Sequence, residues 1–412
     1  MIQKLFRIGL CAVLITGVCA GAAYAQDDVD PTLSAGGFIF KSTVSVSEEY
    51  DGNKYTEHSN PDGDFITRLK PEVLIKKTAI GKNSLELRAG AEQTIYADDS
   101  DDDYLNYHAD IKTKYVFAPL TALDASAEYQ HLYSRRGDND ADPAAVAAEP
   151  MALDRLHSRA EVTRKIAQTT LAPRLEYTHL DYDDGRRQNG TIIDQDVRDR
   201  NDYTAGGRVT LDMPDPHVKI YVDGDFTARN YDQNITGDRD SKGGAALAGF
   251  TYRPGRQFLV DFAAGYMRRD YDDGAFNDIG AWDADARMEW TYAKNSTVRF
   301  AAGRDIAEVT DGGVGGAVRT NLSVLLRQQI VPGTAGKIEM RFVNSNYQGG
   351  NGSDSGIEDR RDQYYKASIG IDHYLTGNVM LTADYSYARR MSNLSIAEFD
   401  DNVILLGVRT GF

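Results

Sequence analysis

The chain has 412 residues with 62 acidic and 46 basic side chains, which gives a formal net charge of -16 at pH 7. This acidity excludes a general nucleic-acid binder, because phosphates attract a basic surface. No run after residue 26 approaches the roughly eighteen consecutive apolar residues of a membrane-spanning helix, so the sequence predicts no such helix. Two classes remain, a soluble exported protein and a membrane β-barrel.

Residues 1–25 have the features of a secretory signal peptide. Lys4 and Arg7 precede an apolar run from Ile8 to Val18, and the small residues of "AYA" offer a cleavage site before Gln26. The apolar run is too short for a membrane anchor. Cleavage removes both cysteines of the chain, so we expect an exported mature protein without disulfides or thiols, whose net charge is -18 after the loss of two basic residues from -16.

From Phe38 onward, apolar and polar residues alternate with the period of two that predicts half-buried strands. The segments "VKIYVDGDF" from Val218, "FLVDFAAGY" from Phe258 and "AWDADARMEWTY" from Ala281 show this pattern clearly. We therefore expect a short periplasmic segment over residues 26–35 and one domain over residues 36–412.

The connections between these segments alternate between short turns and long, mostly acidic loops. Eight are short, such as "RPGR" and "LTGN", and nine are long, such as "DDSDDD", which implies eighteen strands, with sixteen as the alternative count. Short periplasmic turns and long extracellular loops are the pattern of an outer-membrane barrel. A soluble β-sandwich or solenoid does not explain the unbroken alternation. The predicted fold class is all-β, a single closed antiparallel transmembrane barrel.

Placing the apolar face of each strand against lipid leaves a set of charged residues inside the barrel. The predicted lumen-lining residues are Asp261, Asp283, Asp285, Arg287, Glu289, Arg299, Arg319, Arg327, Glu339, Arg341, Asp372 and Asp384. The signs are mixed, whereas a pore dedicated to anions needs a basic excess. Two interpretations stay open, a lining that selects solutes and ion-pair ladders that brace the wall.

Aromatic residues gather near the predicted strand ends, as membrane-interface girdles do. The group beside the long loops is Tyr96, Tyr104, Tyr133, Tyr182, Tyr231, Tyr271 and Tyr347, and the group beside the short turns is Tyr115, Phe117, Tyr252, Trp290, Tyr292 and Tyr374. Pro71 falls inside "FITRLKPEVLIKK" and removes a ladder donor, so we expect a bulge or kink there.

Metal binding and catalysis have weak support in the sequence. The acidic loop over residues 98–103 offers hard oxygen ligands, but a solvated, repulsive loop is the expectation, with weak divalent bridging to lipopolysaccharide as the alternative. His179, Asp181 and Asp183 share a strand face and are the best hydrolytic candidates, although only close geometry makes such residues a site. We expect no catalytic residue, no cofactor and no metal. The loop "GDNDADPAAVAAEPMALD" is unusually apolar and is the candidate plug of the lumen.

The chain ends in "NVILLGVRTGF", where Val408 and Thr410 share a face with Phe412. This end resembles the last strand of bacterial outer-membrane proteins, which implies that Phe412, Thr410 and Val408 form a signal read by the barrel-assembly machinery. The whole hairpin series resembles the porin-type outer-membrane barrels of proteobacteria, some of which are encoded near exopolysaccharide export systems. The resemblance implies the outer membrane of a Gram-negative cell and contact with its lipid and lipopolysaccharide, and it implies no site residues.

A passive diffusion pore for small hydrophilic solutes is the function that the pattern favours, because eighteen strands leave an aqueous lumen. The alternative is a conduit or anchor for an exported polysaccharide, working with exopolysaccharide export components. An enzymatic barrel has the least support.

Overall fold

The computed structural model describes residues 33–78, 83–136, 147–187, 189–233, 239–309, 314–350 and 360–411. The predicted signal peptide, Phe412 and residues 137–146 of the predicted plug loop lie outside the described residues. None of the helices in the described part of the chain is both long and apolar enough to cross a bilayer.

Strands account for nearly all of the regular structure, as the alternating pattern predicts. In chain order they are β1 (Leu33–Ala35), β2 (Phe38–Asp51), β3 (Asp64–Thr78), β4 (Ser84–Tyr96), β5 (Tyr104–Ala118), β6 (Thr121–Ser134), β7 (Met151–Ile166), β8 (Thr169–Tyr182), β9 (Gly185–Arg186), β10 (Ile192–Ile193), β11 (Arg200–Asp212), β12 (Val218–Tyr231), β13 (Ser241–Gly255), β14 (Phe258–Tyr271), β15 (Ile279–Ala293), β16 (Ser296–Glu308), β17 (Gly316–Val331), β18 (Thr334–Gln348), β19 (Arg361–Tyr374), β20 (Val379–Ser392) and β21 (Phe399–Gly411). Short 3-10 turns occupy Ser100–Asp102, Asp196–Arg198 and Ser395–Ala397.

The sheet closes on itself. Each wall strand pairs antiparallel with its neighbour in the chain, and β8 pairs with β11 across the loop that holds the small β9–β10 hairpin. β21 returns to β2, with Thr43 opposite Gly411 and Asp51 opposite Val403, while β1 pairs with the first residues of β2. Closure leaves no open edge, whose backbone groups would be unpaired in hydrocarbon. The predicted closed antiparallel barrel of eighteen strands is confirmed, and the alternative count of sixteen is wrong.

Short and long connections alternate around the wall as predicted. Several short turns have only two residues between the strands, among them 294–295 and 332–333. Their second residues, Asn295 and Gly333, have φ values of 56° and 78°. The ladders shift register beside these turns, between Thr291 and Ala293 and between Gln329 and Val331, as in hairpins in which a residue with positive φ forms a bulge.

Of the bulge or kink expected at Pro71, the strand pairing shows no bulge. The β3–β4 ladder lacks two pairs beside Pro71, between the pairs Leu69–Gln93 and Glu72–Gly90, but the register is the same on both sides of this gap. The pairing of β3 with β2 continues through Pro71 without interruption. The proline therefore interrupts one ladder locally, because it has no N–H to donate, and the strong pairing on its other side holds the strand in register.

Candidate channel interior

Contacts between strands that are not neighbours identify the concave face of the wall. Tyr221 on β12 donates to Asp261 on β14 at 2.6 Å, and Arg174 on β8 contacts Asp223 on β12 at 2.7 Å. Neighbouring strands lie about 4.8 Å apart, so side chains that skip a strand meet on the inside of the curve. The opposite face carries exposed apolar side chains such as Val222 and Phe226.

Strand register places the predicted lumen-lining residues on this interior face. On β15, Asp283, Asp285, Arg287 and Glu289 alternate with Trp282 and Trp290, which are exposed on the outer face. The remaining predicted residues follow the same alternation on β14 and on β16 to β20, namely Asp261, Arg299, Arg319, Arg327, Glu339, Arg341, Asp372 and Asp384.

Many interior charges form ion pairs, some along one strand and some between strands. Arg287 lies 2.7 Å from Glu289, and Arg319 lies 2.9 Å from Asp305. Lys337 bridges two neighbouring strands, at 3.3 Å from Asp372 and 2.9 Å from Asp384. The pairs Arg287–Glu289 and Arg319–Asp305 are about half exposed to water, and pairs of this kind each contribute about 0.2–1 kcal/mol to stability. They form the ion-pair ladder that was one of the two interpretations of the sequence.

Arg341 and Lys366 differ from these paired residues. They lie directly opposite each other on β18 and β19, both are exposed, and neither forms an ion pair with a carboxylate of the described chain. Like charges in directly opposite positions destabilise a sheet. Among the described residues, the interior therefore combines a braced wall with a patch of like charge at Arg341 and Lys366.

Small residues on β13 let interior side chains lie flat against the wall. Gly249 is opposite Tyr221 on the interior face, and a Cβ at Gly249 would lie 2.7 Å from the Tyr221 ring. The ring is therefore buried over the glycine, and its hydroxyl reaches Asp261 beyond β13. Sequence alternation predicted the interior position of Asp261 but not this tyrosine bridge.

The extracellular mouth above β2 to β6 contains a buried polar cluster. Lys54, from the loop after β2, is almost fully buried and lies 2.6 Å from Asp99 and 3.5 Å from Asp64. Burial alone would lower the pKa of Lys54, but the hydrogen bonds to acidic neighbours outweigh it and raise that pKa. The hydrogen bond from Lys54 holds the pKa of Asp99 below its usual value. Arg135, at the end of β6, reaches Asp51 on β2 at 2.6 Å.

This cluster corrects the expectation of a solvated, repulsive loop over residues 98–103. Asp102 is buried and accepts from Tyr55 at 2.6 Å and from Arg136 at 3.3 Å, and Asp103 accepts from the backbone N–H of Tyr96 at 2.7 Å. The acids are therefore partners of cations and donors from other loops. Lys54, Tyr55 and Arg136 are distant in sequence from these acids, so the acidic run alone gave no sign of them.

A second buried cluster lies at the mouth near β12, β14 and β16. Glu308, the last residue of β16, accepts hydrogen bonds from Arg229, Arg269 and Tyr231. Arg229 also contacts Asp202 at 2.7 Å, so two cations share two carboxylates. Such a buried group is expensive to break, because removing one partner leaves a charge without compensation.

The extracellular aromatic girdle is not formed by most of the residues predicted for it. Tyr96, Tyr104, Tyr231 and Tyr347 are less than a tenth exposed and pack at the mouth. The alternation along the strand already places Tyr96 inside, because Tyr96 lies four residues after the interior Glu92 and residues an even number apart share a face. Exposed aromatic residues of the outer face near this end include Tyr50, Phe65, Tyr107, Tyr203, Tyr266 and Trp282. The short-turn group, Tyr115, Phe117, Tyr252, Trp290, Tyr292 and Tyr374, is exposed at the other end.

His179 lies on the outer face, where its ring contacts the side chain of Asn201 at 3.0 Å. Asp181 is paired in the ladder with Asp154 of β7. The geometry described for His179 is therefore a contact with an amide, not the close His–Asp arrangement that a hydrolytic site requires.

Three carboxylates of the loop after β8 come together. Ligand atoms of Asp184, Asp194 and Asp196 lie within 4.8 Å of one another. The oxygen chemistry would suit Ca²⁺. Exposed acidic groups are common without an ion, so the cluster assigns no metal site.

The sequence of this chain matches a model of a known protein family. A family model described as "Putative beta-barrel porin 2" matches residues 32–412. The chain belongs to this family. The closed wall of this β-barrel porin, with its apolar outer face and charged inner face, is that of an outer-membrane barrel.

Solved structures with a similar fold include OpdK from Pseudomonas aeruginosa, with 9% identity, a TM-score of 0.47, and coverage of 90% of this chain and 99% of that chain. The siderophore receptor PirA from Pseudomonas aeruginosa has 9% identity, a TM-score of 0.44, and coverage of 90% of this chain and 80% of that chain. No curated protein matches this chain significantly.

Proposed function

We propose that this porin-family barrel is a channel for the passive diffusion of small hydrophilic solutes. The observation that carries the proposal is the charged interior face of a closed wall of eighteen strands. A barrel of this size encloses an aqueous lumen unless a separate element fills it. Water-soluble solutes therefore have a polar path across the membrane.

The mixed sign of the interior supports a general pore. Arg287 with Glu289, and Lys337 with Asp372 and Asp384, compensate each other locally. A channel dedicated to one kind of ion presents a ring of one sign to its solute. Paired charges instead keep the inner surface hydrated, and they present no strong electrostatic barrier to neutral molecules.

Conductance in planar lipid bilayers tests the proposal. We expect the purified, folded protein to insert and give stepwise, ohmic currents, and to let small sugars into liposomes. Folding is checked independently by the faster migration of unboiled barrel on a denaturing gel. A sample that is folded by this criterion, yet silent in bilayers and impermeable to sugars, would overturn the proposal.

A further inference from the structure

The extracellular ends of β15 and β16 separate. Their ladder runs from Ala293–Ser296 to Asp285–Gly303 and then stops, although β15 extends to Ile279 and β16 to Glu308. Above this point β15 stays paired with β14, and β16 stays paired with β17 as far as Gly316. β17 also stays paired with β18, as far as Gly316 opposite Gln348, so the end of the β16–β17 hairpin has separated from β15 while it remains joined to β18. We call residues 304–309 and 314–320 the inward hairpin.

The inward hairpin packs on the interior face of its neighbours. Ile306 and Val318 are paired across the hairpin and contact Met267 on β14 and Ile279 on β15. Val318, Met267 and Ile279 are at most 5% exposed. Met267 shares its face with the interior Asp261, so the hairpin lies inside the barrel. Burying three such side chains contributes about 1.5–3 kcal/mol each.

Polar contacts hold the inward hairpin in this place. Arg269 donates to the backbone oxygen of Ile306 at 2.8 Å, and Tyr271 donates to that of Gly315 at 2.7 Å. Glu308 is bound by Arg229 and Arg269 as described above. Because β12 is four strands from β16 along the wall, a contact between Arg229 and Glu308 requires the hairpin to cross the curve of the mouth.

Gly315 allows the close approach of Tyr271. A Cβ at Gly315 would lie 2.9 Å from the ring of Tyr271, so a larger residue would push the hairpin away from β14. The loop after β14 also meets the loop after β18, where the N–H of Asn277 donates to the backbone oxygen of Gly349 at 3.0 Å. Three loops therefore meet on one side of the mouth.

We propose that the inward hairpin is the constriction that sets the size limit of this channel. One face of the hairpin is fixed to β14 and β15 by Ile306, Val318 and Glu308. Its other face carries Asp305 and Arg319, which lie 2.9 Å apart, and Asn321, the residue after the hairpin, contacts Asp305 at 3.3 Å. A passing solute meets this polar face, so the constriction suits small molecules with hydrogen-bonding groups. The inference rests on the proposed function.

A cysteine on the free face of the hairpin tests its position in the channel. The predicted mature chain has no cysteine, so Asp305→Cys is the single thiol for a charged, membrane-impermeant thiol reagent. We expect labelling to reduce the single-channel conductance by about half or more, because the narrowest section dominates conduction. Asp270→Cys is the matched control, since Asp270 also pairs with an arginine, Arg268, but lies exposed on the outer face of β14. Labelling of Asp270→Cys should leave the conductance unchanged.

A shortened hairpin tests the same inference without labelling. Asp305 and Arg319 are directly paired, so an Asn-Gly turn can join them in place of residues 306–318. We expect about a twofold or larger rise in conductance and the entry of sugars that the unmodified protein excludes. Conductance unchanged by both the label at residue 305 and the shortening would overturn the constriction.

The outcomes separate the two proposals. If the unmodified barrel conducts but neither change at the hairpin alters its conductance, the constriction is wrong and the proposed function stands. If the unmodified barrel carries no current and the shortened one conducts, the hairpin blocks the channel. That result would support the constriction and would overturn passive diffusion through the native barrel. Silence of both folded proteins overturns both.

Discussion

Arg341 and Lys366 add two positive charges to the interior face with no carboxylate of the described chain paired to them. A charge that is unpaired inside the barrel acts on passing ions, whereas a paired charge is largely cancelled at short range. The two residues therefore have more influence on ion selectivity than the more numerous paired cations around them.

Reversing both charges, with Arg341→Glu and Lys366→Glu, should make the channel more cation-selective. The measurement is the reversal potential in a tenfold gradient of potassium chloride, which should shift toward the potential for potassium by about ten millivolts or more. The control carries Arg164→Glu and Arg389→Glu, the same change of charge at exposed positions of the outer face. An equal shift in the control would show that total charge, and not its place inside, sets selectivity.

Asp199 is a titrating group outside the wall. It precedes β11 and accepts the backbone N–H of Tyr182 at 2.7 Å. Burial, with the charges of Asp181, Asp196 and Asp232, raises the pKa of Asp199 to about 6. A carboxyl whose pKa rises on folding destabilises the fold once it ionises, so this cost is absent below about pH 4 and complete above about pH 6.

Asp199→Asn should therefore raise the free energy of unfolding above pH 6 and leave it unchanged below pH 4. Asparagine keeps the acceptor for Tyr182 and removes the charge. Urea unfolding in lipid vesicles across this pH range measures the difference. Asp215→Asn is the control, because Asp215 accepts the N–H of His217 at 2.9 Å in an exposed turn at the other end. A stabilisation by Asp199→Asn that does not vary with pH would contradict this account.

At the scale of the strand, small residues determine where the interior can hold large ones. β13 presents Gly243, Ala245 and Gly249 to the inside, opposite Tyr221 on β12 and Met267 on β14 among others. The hairpin docks where this face is small, since Ala245 packs against the Met267 cluster. The position of the constriction thus depends on the composition of a strand that does not belong to it.

Gly249→Ala should destabilise the barrel by about 1–3 kcal/mol, as overpacking of a close contact does. Its Cβ would lie 2.4 Å from the backbone oxygen of Phe262 and 2.7 Å from the ring of Tyr221. Gly224→Ala on β12 is the control, because the nearest atom to its Cβ is at 3.5 Å. Equilibrium unfolding by urea measures both variants. Equal stabilities of the two would mean that Tyr221 moves aside at no cost.

At the scale of the whole molecule, closure of the wall is the condition for residence in a membrane. β21 covers the edge of β2 from Thr43 to Asp51, and β1 covers only its first residues. Without β21, the edges of β2 and β20 would both expose unpaired backbone groups to hydrocarbon.

Removal of residues 399–412 should therefore abolish the folded, heat-modifiable form on refolding into lipid vesicles, a reaction that needs no assembly machinery. Removal of residues 33–35 is the control and should leave the folded form intact, because β2 still pairs with both β3 and β21. A heat-modifiable barrel formed without β21 would show that the wall can close with seventeen strands.

Much of the fold could be predicted because it depends on local patterns. Alternation along each strand separates Trp282 from Asp283, and short turns such as 294–295 alternate with long loops, so strand number, topology and the face of each residue follow from the sequence. The same alternation predicts that Tyr96 and Tyr231 face the interior, and the girdle interpretation did not take this into account. The bulge expected at Pro71 as one of two outcomes is wrong, because the intact ladder to β2 holds the strand in register.

The sequence by itself thus determined a closed barrel of eighteen strands with a charged inner face, because period-two alternation and loop length are properties of neighbouring residues. Only the tertiary structure decided what happens at the mouth. At the mouth, Lys54 forms an ion pair with Asp99, Arg135 with Asp51, and Glu308 with Arg229, and the partners of each pair are far apart in sequence. Whether a hairpin stays in the wall or turns inside depends on the balance between a few ladder pairs and a packed interior surface. That balance exists only once the wall has closed and brought the two surfaces together.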